Sequence, residues 1–258
     1  MCTVTAFRAP RGWIVTMNRD ERRSRGPEIP PFEWEGRGFV APRDSDAGGT
    51  WIGLRRDGVW AALLNGYGSG FDGCVKEPLQ TRGRLVPAVL RESDPVGALR
   101  RLNLSHTQSF RVLIGTSAGL ENWFWDGRSL EKADLHQDQW TLITSSSYEQ
   151  EAVRQARLAM FRRWLDEGAE TDPFGRPLYH LSSYGMDPVE AVLMSRDVSH
   201  TKSCIQLDTA ADNPVVRHWD AAPFTKKPST EVKGSPVTAR VGRRGLSPSP
   251  EPRSCRYP

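Results

Sequence analysis

Apolar and polar positions along the chain change period several times, and each change predicts an element. Residues 3–8 (TVTAFR) and 13–18 (WIVTMN) are rich in β-branched and aromatic side chains. Between them lies Ala9-Pro10-Arg11-Gly12, a turn-like tetrapeptide, so the pattern predicts a β-hairpin. Residues 21–38 are rich in Pro, Gly and charge and read as an irregular loop. Short strands are expected at 39–41, 50–55 and 58–64, the last two joined by a turn at Arg56-Asp57-Gly58. Helical spacing begins near Thr81, with Leu85, Val89 and Leu90 on one face to about Glu92 and Pro87 tolerated only in the first turns. Asp94-Pro95 opens a second helix, Asp94 as N-cap and Pro95 at the first helical position. Strands return at 110–116, 121–126 and 140–145. Ser146 and Glu149 form a capping-box pattern, followed by an apolar stripe of Val153, Ala156, Met160 and Trp164 to Leu165. Further strands are expected at 189–195, 202–208 and 215–218. Strands, then helices, then strands fit sheets packed with helices in layers.

The final stretch, 222–258, is dominated by Pro, Ser, Lys and Arg and has few apolar residues. It buries too little surface to offset its ordering entropy and reads as a disordered tail behind a domain at 1–221. Its eight Lys or Arg and two Asp or Glu carry +6 of a whole-chain net charge of +4, which leaves 1–221 at −2. The basic character therefore belongs to the tail, and a nucleic-acid partner for the domain is not expected. No apolar run approaches the roughly 20 residues of a membrane span. No basic region followed by an apolar block opens the chain, so the expected location is cytoplasmic. Cys2, Cys74, Cys204 and Cys255 show no metal or redox spacing, and neither do His106, His136, His180, His200 and His218. No metal or cofactor is expected.

Cys2 is the candidate centre of chemistry. Removal of Met1 before this small residue would leave a chain beginning with Cys, a thiol and a free α-amine on one residue. An α-amine with a pKa of about 7.7–8.0 is partly neutral at pH 7 and acts as a base. One residue then supplies both nucleophile and general base. If Arg8 pairs with Trp13 across the hairpin, Cys2 lies opposite Arg19, and a slip of one residue puts it opposite Asn18 or Asp20. Arg19 is expected to favour the thiolate and Asp20 to orient the α-ammonium. Glu21 would share one of these roles or form an ion pair.

The run Met17-Asn18-Arg19-Asp20-Glu21, after Met1-Cys2 and a short hairpin, resembles the NRDE family, the group related to the transport and Golgi organisation protein 2. Gly48-Gly49-Thr50-Trp51-Ile52-Gly53-Leu54, Trp60-Ala61-Ala62-Leu63-Leu64-Asn65 and Thr81-Arg82-Gly83 with Leu85-Val86 resemble three further motifs in the same order. The resemblance implies an α+β fold, a four-layer αββα sandwich of N-terminal-nucleophile type. It is similar to the choloylglycine hydrolase and penicillin V acylase group, which cleaves amide bonds. By that likeness Cys2 is the nucleophile, Arg19 and Asp20 are its partners, and Asn65 donates to the oxyanion. That group carries a further Asn after a Thr at the end of a mid-chain strand, where this chain has Ser145 after Thr144. Asn18, Glu21, Trp51 and Ser145 are candidates for contacting the substrate.

Two functions follow as expectations. The first is a cofactor-independent amidohydrolase acting on a small acylated molecule. The second is a carrier or chaperone that holds haem, acyl-CoA or another hydrophobic metabolite in the same pocket, since the resemblance also implies haem and acyl-lipid handling. Asn65-Gly66-Tyr67-Gly68-Ser69-Gly70 lacks a following Gly-Lys-Ser/Thr and reads as a loop at the site mouth or a plain turn rather than a phosphate loop. Trp51 and Trp60 read as core or pocket wall.

Overall fold

The computed structural model describes residues 2–34, 36, 38–67, 79–135, 139–183, 185–220, 222, 224 and 227–234. The strands in chain order are β1 (Cys2–Ala9), β2 (Gly12–Arg22), β3 (Glu28–Glu33), β4 (Phe39–Asp44), β5 (Ile52–Arg55), β6 (Trp60–Asn65) and β7 (Phe110–Gly115), then β8 (Leu120–Trp125), β9 (Leu130–Lys132), β10 (Trp140–Ser145), β11 (Ser199–Asp208), β12 (Val215–Asp220) and β13 (Thr230–Lys233). Helices are α1 (Leu85–Leu90), α2 (Pro95–Arg101) and α3 (Gln150–Asp166). One sheet runs β10-β1-β2-β11-β12-β13 and the other runs β3 to β9 in chain order. Every pairing of neighbouring strands is antiparallel.

The layers follow from which side chains meet. Between the sheets, Val4, Val15, Met17, Ile205 and Leu207 pack against Ile52, Leu54, Trp60, Ala62 and Leu64. On the outer face of the second sheet, Ala61, Leu63, Val112 and Ile114 meet Leu85, Val86, Val89 and Leu90 of α1 and Leu99 of α2. Strand β6 is thus apolar at successive positions because it is covered on both faces. On the outer face of the first sheet, Phe161 and Trp164 of α3 join Tyr179 and Val192, with Trp140 and Leu142 of β10 against them. The order is helix, sheet, sheet, helix, the expected four-layer αββα arrangement.

Several local expectations are revised. The 21–38 loop contains β3, whose Pro30 and Pro31 sit at the sheet edge where the ladder register shifts between Ile29 and Phe32. Residues 189–195 form turns rather than a strand, although Ala191, Val192 and Met194 are buried. The capping box does not form. Ser146 Oγ donates to the Tyr148 carbonyl at 2.6 Å, and Glu149 enters α3 in the left-handed region at φ 36° without capping it. The buried face of α3 is Val153, Arg157, Phe161 and Trp164, so a cation replaces part of the expected apolar stripe. The expected tail from 222 contains β13, which pairs with β12, packs Val232 on the core and binds Arg217 through Glu231 at 2.8 Å. Residues 235–258 lie outside the described residues, as do Met1, Cys74, His136, Cys255 and the Gly68-Ser69-Gly70 part of the glycine-rich stretch. No helix among the described residues is long and apolar enough to cross a membrane.

Candidate active site

Cys2 starts β1, an interior strand of the first sheet, and is flanked on both sides: its backbone lies opposite Arg19 of β2 and Ser145 of β10. Residues directly opposite in an antiparallel pair project to the same face. The Cys2 thiol, the Arg19 guanidinium and the Ser145 hydroxyl therefore all face the space between the sheets. Ser145 Oγ is buried and finds no hydrogen-bond partner among the described residues.

Arg19 is the hub of a buried ion network. It donates to Glu28 at 2.7 Å, to Glu21 at 3.3 Å and to Asp44, while its guanidinium stacks 4.1 Å from the Trp51 ring centroid. Burial works against the Arg19 charge, but Glu28, Asp44 and Glu21 outweigh it and hold the guanidinium charged. Burial likewise opposes ionisation of Glu28, yet His218 and Arg19 keep its carboxyl below the usual range. Asp44 is shared with Arg25 at 2.9 Å. The charge of Arg19 is thus largely spent on carboxylates. Burial pushes the Cys2 thiol up, and Arg19 and the Asp20 backbone N–H, which both favour the thiolate, do not reverse this. The expected lowering of the thiol pKa by Arg19 is outweighed by desolvation.

Two expected site residues point the other way. Alternation along β2 turns Asn18 and Asp20 toward α3. Asn18 donates to the His180 and Val192 carbonyls at 3.0 and 3.3 Å and does not line the cavity, so its expected contact with substrate is not what the geometry offers. Asp20 accepts from Thr201 Oγ1 at 2.7 Å and lies 3.8 Å from Arg157. Arg157, fully buried, also bonds Thr3 Oγ1 and Thr144 Oγ1 at 2.9 Å and the Glu190 and Ala191 carbonyls at 2.8 Å. This anchors α3 beneath the first residues of β1. Opposite Asp20 and Arg19, β11 shifts register between Thr201 and Ser203, a bulge beside the site.

The facing wall comes from the second sheet. Asn65 ends β6 and donates through Nδ2 to Tyr67 Oη at 3.0 Å. Gly66 sits so close to Ser109 that a Cβ would lie 2.8 Å from its carbonyl carbon. The Gly66 N–H and Arg82 Nη1 both donate to that Ser109 carbonyl, at 2.9 and 3.0 Å. Thr81 caps the short turn Arg82–Arg84 by accepting from Gly83 N. Gly49 lies against Gly83, where a Cβ would meet backbone at 2.6 Å, and the Thr50 N–H donates to the Gly83 carbonyl at 3.0 Å. Glycine is required there because two backbones touch. The Gly48-Gly49-Thr50-Trp51 and Thr81-Arg82-Gly83 segments are in this way locked together.

These walls enclose an open cavity of about 770 Å³ lined by Cys2, Arg19, Glu21, Trp51, Asn65, Tyr67 and Arg82 among others. Of the expected site residues, the cavity gathers Cys2, Arg19, Asp20, Glu21, Trp51 and Asn65, and leaves out Asn18 and Ser145. Trp60 is core, fully buried. Arg82 and Tyr67 had only motif membership in the sequence to mark them. An Arg preceding a helix ordinarily reads as a solvated charge, so nothing local pointed Arg82 inward. No group of three or more His, Cys, Asp or Glu among the described residues is arranged to hold a metal ion.

Among solved structures, an N-acylethanolamine-hydrolyzing acid amidase (NAAA) ortholog from Caenorhabditis elegans is similar at 11% identity and TM-score 0.49, over 90% of this chain and 99% of that one. A mutant conjugated bile acid hydrolase from Clostridium perfringens is similar at 11% identity and TM-score 0.46, over 90% of this chain and 96% of that one. No curated protein sequence matches. The family described as Transport and Golgi organisation 2 matches residues 1–203, which span the hairpin, the glycine motifs and both cavity walls, and the chain belongs to that family.

Proposed function

We propose that this protein is an N-terminal-cysteine amidohydrolase acting on a small acylated substrate, with Cys2 as nucleophile once Met1 is removed. The observation that carries the reading is the position of Cys2: it opens onto a cavity whose facing wall presents the Asn65 amide. In this mechanism the Cys2 α-amine takes the thiol proton and Sγ attacks the carbonyl carbon. Asn65 Nδ2 spends one hydrogen on Tyr67, and its second hydrogen is available to the developing oxyanion. The C–N bond breaks as the α-ammonium returns the proton to the departing amine, leaving an acyl thioester on Cys2. Water then attacks the thioester, its proton passes to the sulfur, and the acid leaves. Arg19 and Trp51 shape the cavity floor, and Asp20 supports β2 from behind.

A second reading, a carrier that binds haem, acyl-CoA or another hydrophobic metabolite without turnover, is favoured by two observations. Burial disfavours the Cys2 thiolate, and the neighbouring Ser145 supplies no amide. Intact-mass measurement and Cys2→Ala separate the readings. Loss of Met1, with acyl transfer to Cys2 from an activated amide and none in Cys2→Ala, supports the hydrolase. Retained Met1 defeats it.

A further inference from the structure

The cations of the cavity are not equivalent. Arg19 is committed to Glu28, Glu21 and Asp44, and Arg25 to Asp44 and Asp46. Arg82, half-buried on the Asn65 wall, has no carboxylate within ion-pair distance among the described residues. Among the described residues its hydrogen bond is from Nη1 to the Ser109 carbonyl, the same oxygen that accepts from the Gly66 N–H. The backbone contact of Gly83 with Gly49 holds its base. Burial works against its charge, and the nearby Tyr67, Cys2 and Glu21 groups favour that charge without reversing the effect. A partly desolvated guanidinium with N–H groups unused among the described residues is an anion seat, and its planar fork suits a carboxylate.

We propose that Arg82 is a specificity-determining residue that binds a carboxylate of the ligand while its reacting carbon lies at Cys2. The assignment rests on Cys2 being the reactive centre of the cavity.

The test uses two alkylating agents that differ only in charge, iodoacetate and iodoacetamide, with the modified residue mapped by mass spectrometry on the full chain. Both form a Cys2 S–C bond and release iodide, and both depend equally on the thiolate population. Their rate ratio therefore cancels any effect of Arg82 on thiol ionisation. In the native protein the ratio of iodoacetate to iodoacetamide exceeds that of free glutathione. Arg82→Gln lowers the ratio about tenfold, the loss expected for one charge-assisted hydrogen bond. Arg82→Lys restores part of it. A ratio equal to that of glutathione, or a ratio unchanged in Arg82→Gln, overturns the proposal. Absence of iodoacetamide labelling at Cys2 overturns instead the reading of Cys2 on which it rests. Acetate and acetamide as protectants give a second measurement that needs no variant. Acetate slows iodoacetamide labelling of the native protein and acetamide does not; equal protection by the two counts against an anion seat.

Discussion

Arg19 shows how a single buried charge organises its surroundings. Its side chain and that of Glu28 are almost wholly out of water, so neither tolerates loss of the other. Arg19→Met removes the cation that Glu28 and Asp44 share, leaves them to His218 and Arg25, and is expected to cost about 3–5 kcal/mol, read as a lowered urea midpoint. His180 gives the pH dependence. It is fully buried, shares a 2.9 Å hydrogen bond with Thr5, and burial, followed by the Arg157 and Arg176 charges, pushes its pKa from 6.5 down to about 3. The folded state therefore binds this proton less readily than the unfolded chain. Its contribution is fully present above pH 6.5 and is lost as pH falls toward about 3, by up to about 1.4 kcal/mol per pH unit. Glu28 and Asp44, held below their ordinary values, add losses of the same sign at lower pH. Urea unfolding at pH 7 and pH 5 is expected to show this slope, and His180→Asn to flatten it. Cys204, whose thiol burial pushes up to about 12, is expected to stay unlabelled by thiol electrophiles at neutral pH.

At the scale of elements, the site depends on contacts that join segments distant in the chain. The turn carrying Arg82 is placed by a glycine–glycine backbone contact with the start of β5. Gly49→Ala drives a Cβ into the Gly83 backbone at 2.6 Å, and relief requires one segment to move. The expected outcome is destabilisation of about 1–3 kcal/mol with a larger change in Cys2 labelling than in stability. Helix α3 is joined to the first sheet by Arg157. Arg157→Met leaves two buried hydroxyls, two carbonyls and Asp20 to find new partners, and a loss of about 3–5 kcal/mol is expected by calorimetry or urea. The helix has an apolar stripe as its periodicity required, but the Arg inside it could not be recognised as buried. Its partners, Thr3, Thr144 and Asp20, lie on three different strands.

At the scale of the molecule, β13 closes one side of the first sheet and contributes Val232 to the central core. A chain ending at 228 is expected to unfold at lower denaturant concentration than one ending at 234, by about 1–2 kcal/mol, from the lost apolar packing and the Arg217–Glu231 pair.

The sequence alone determined what is local. The hairpin followed from one short turn, which narrowed the residue opposite Cys2 to Asn18, Arg19 or Asp20, and the structure selects Arg19. The cap at Asp94 followed from a side chain that bonds its own neighbours. Only the tertiary structure decided which charges are spent and which remain. Arg19 and Arg82 are the same residue type near the same thiol, yet one is enclosed by carboxylates from β2, β3 and β4 and the other, among the described residues, meets a single carbonyl. The same holds for Cys2: its place beside Arg19 was legible in the hairpin. The burial that raises its thiol pKa arises from the packing of two sheets, and no spacing along the chain encodes that.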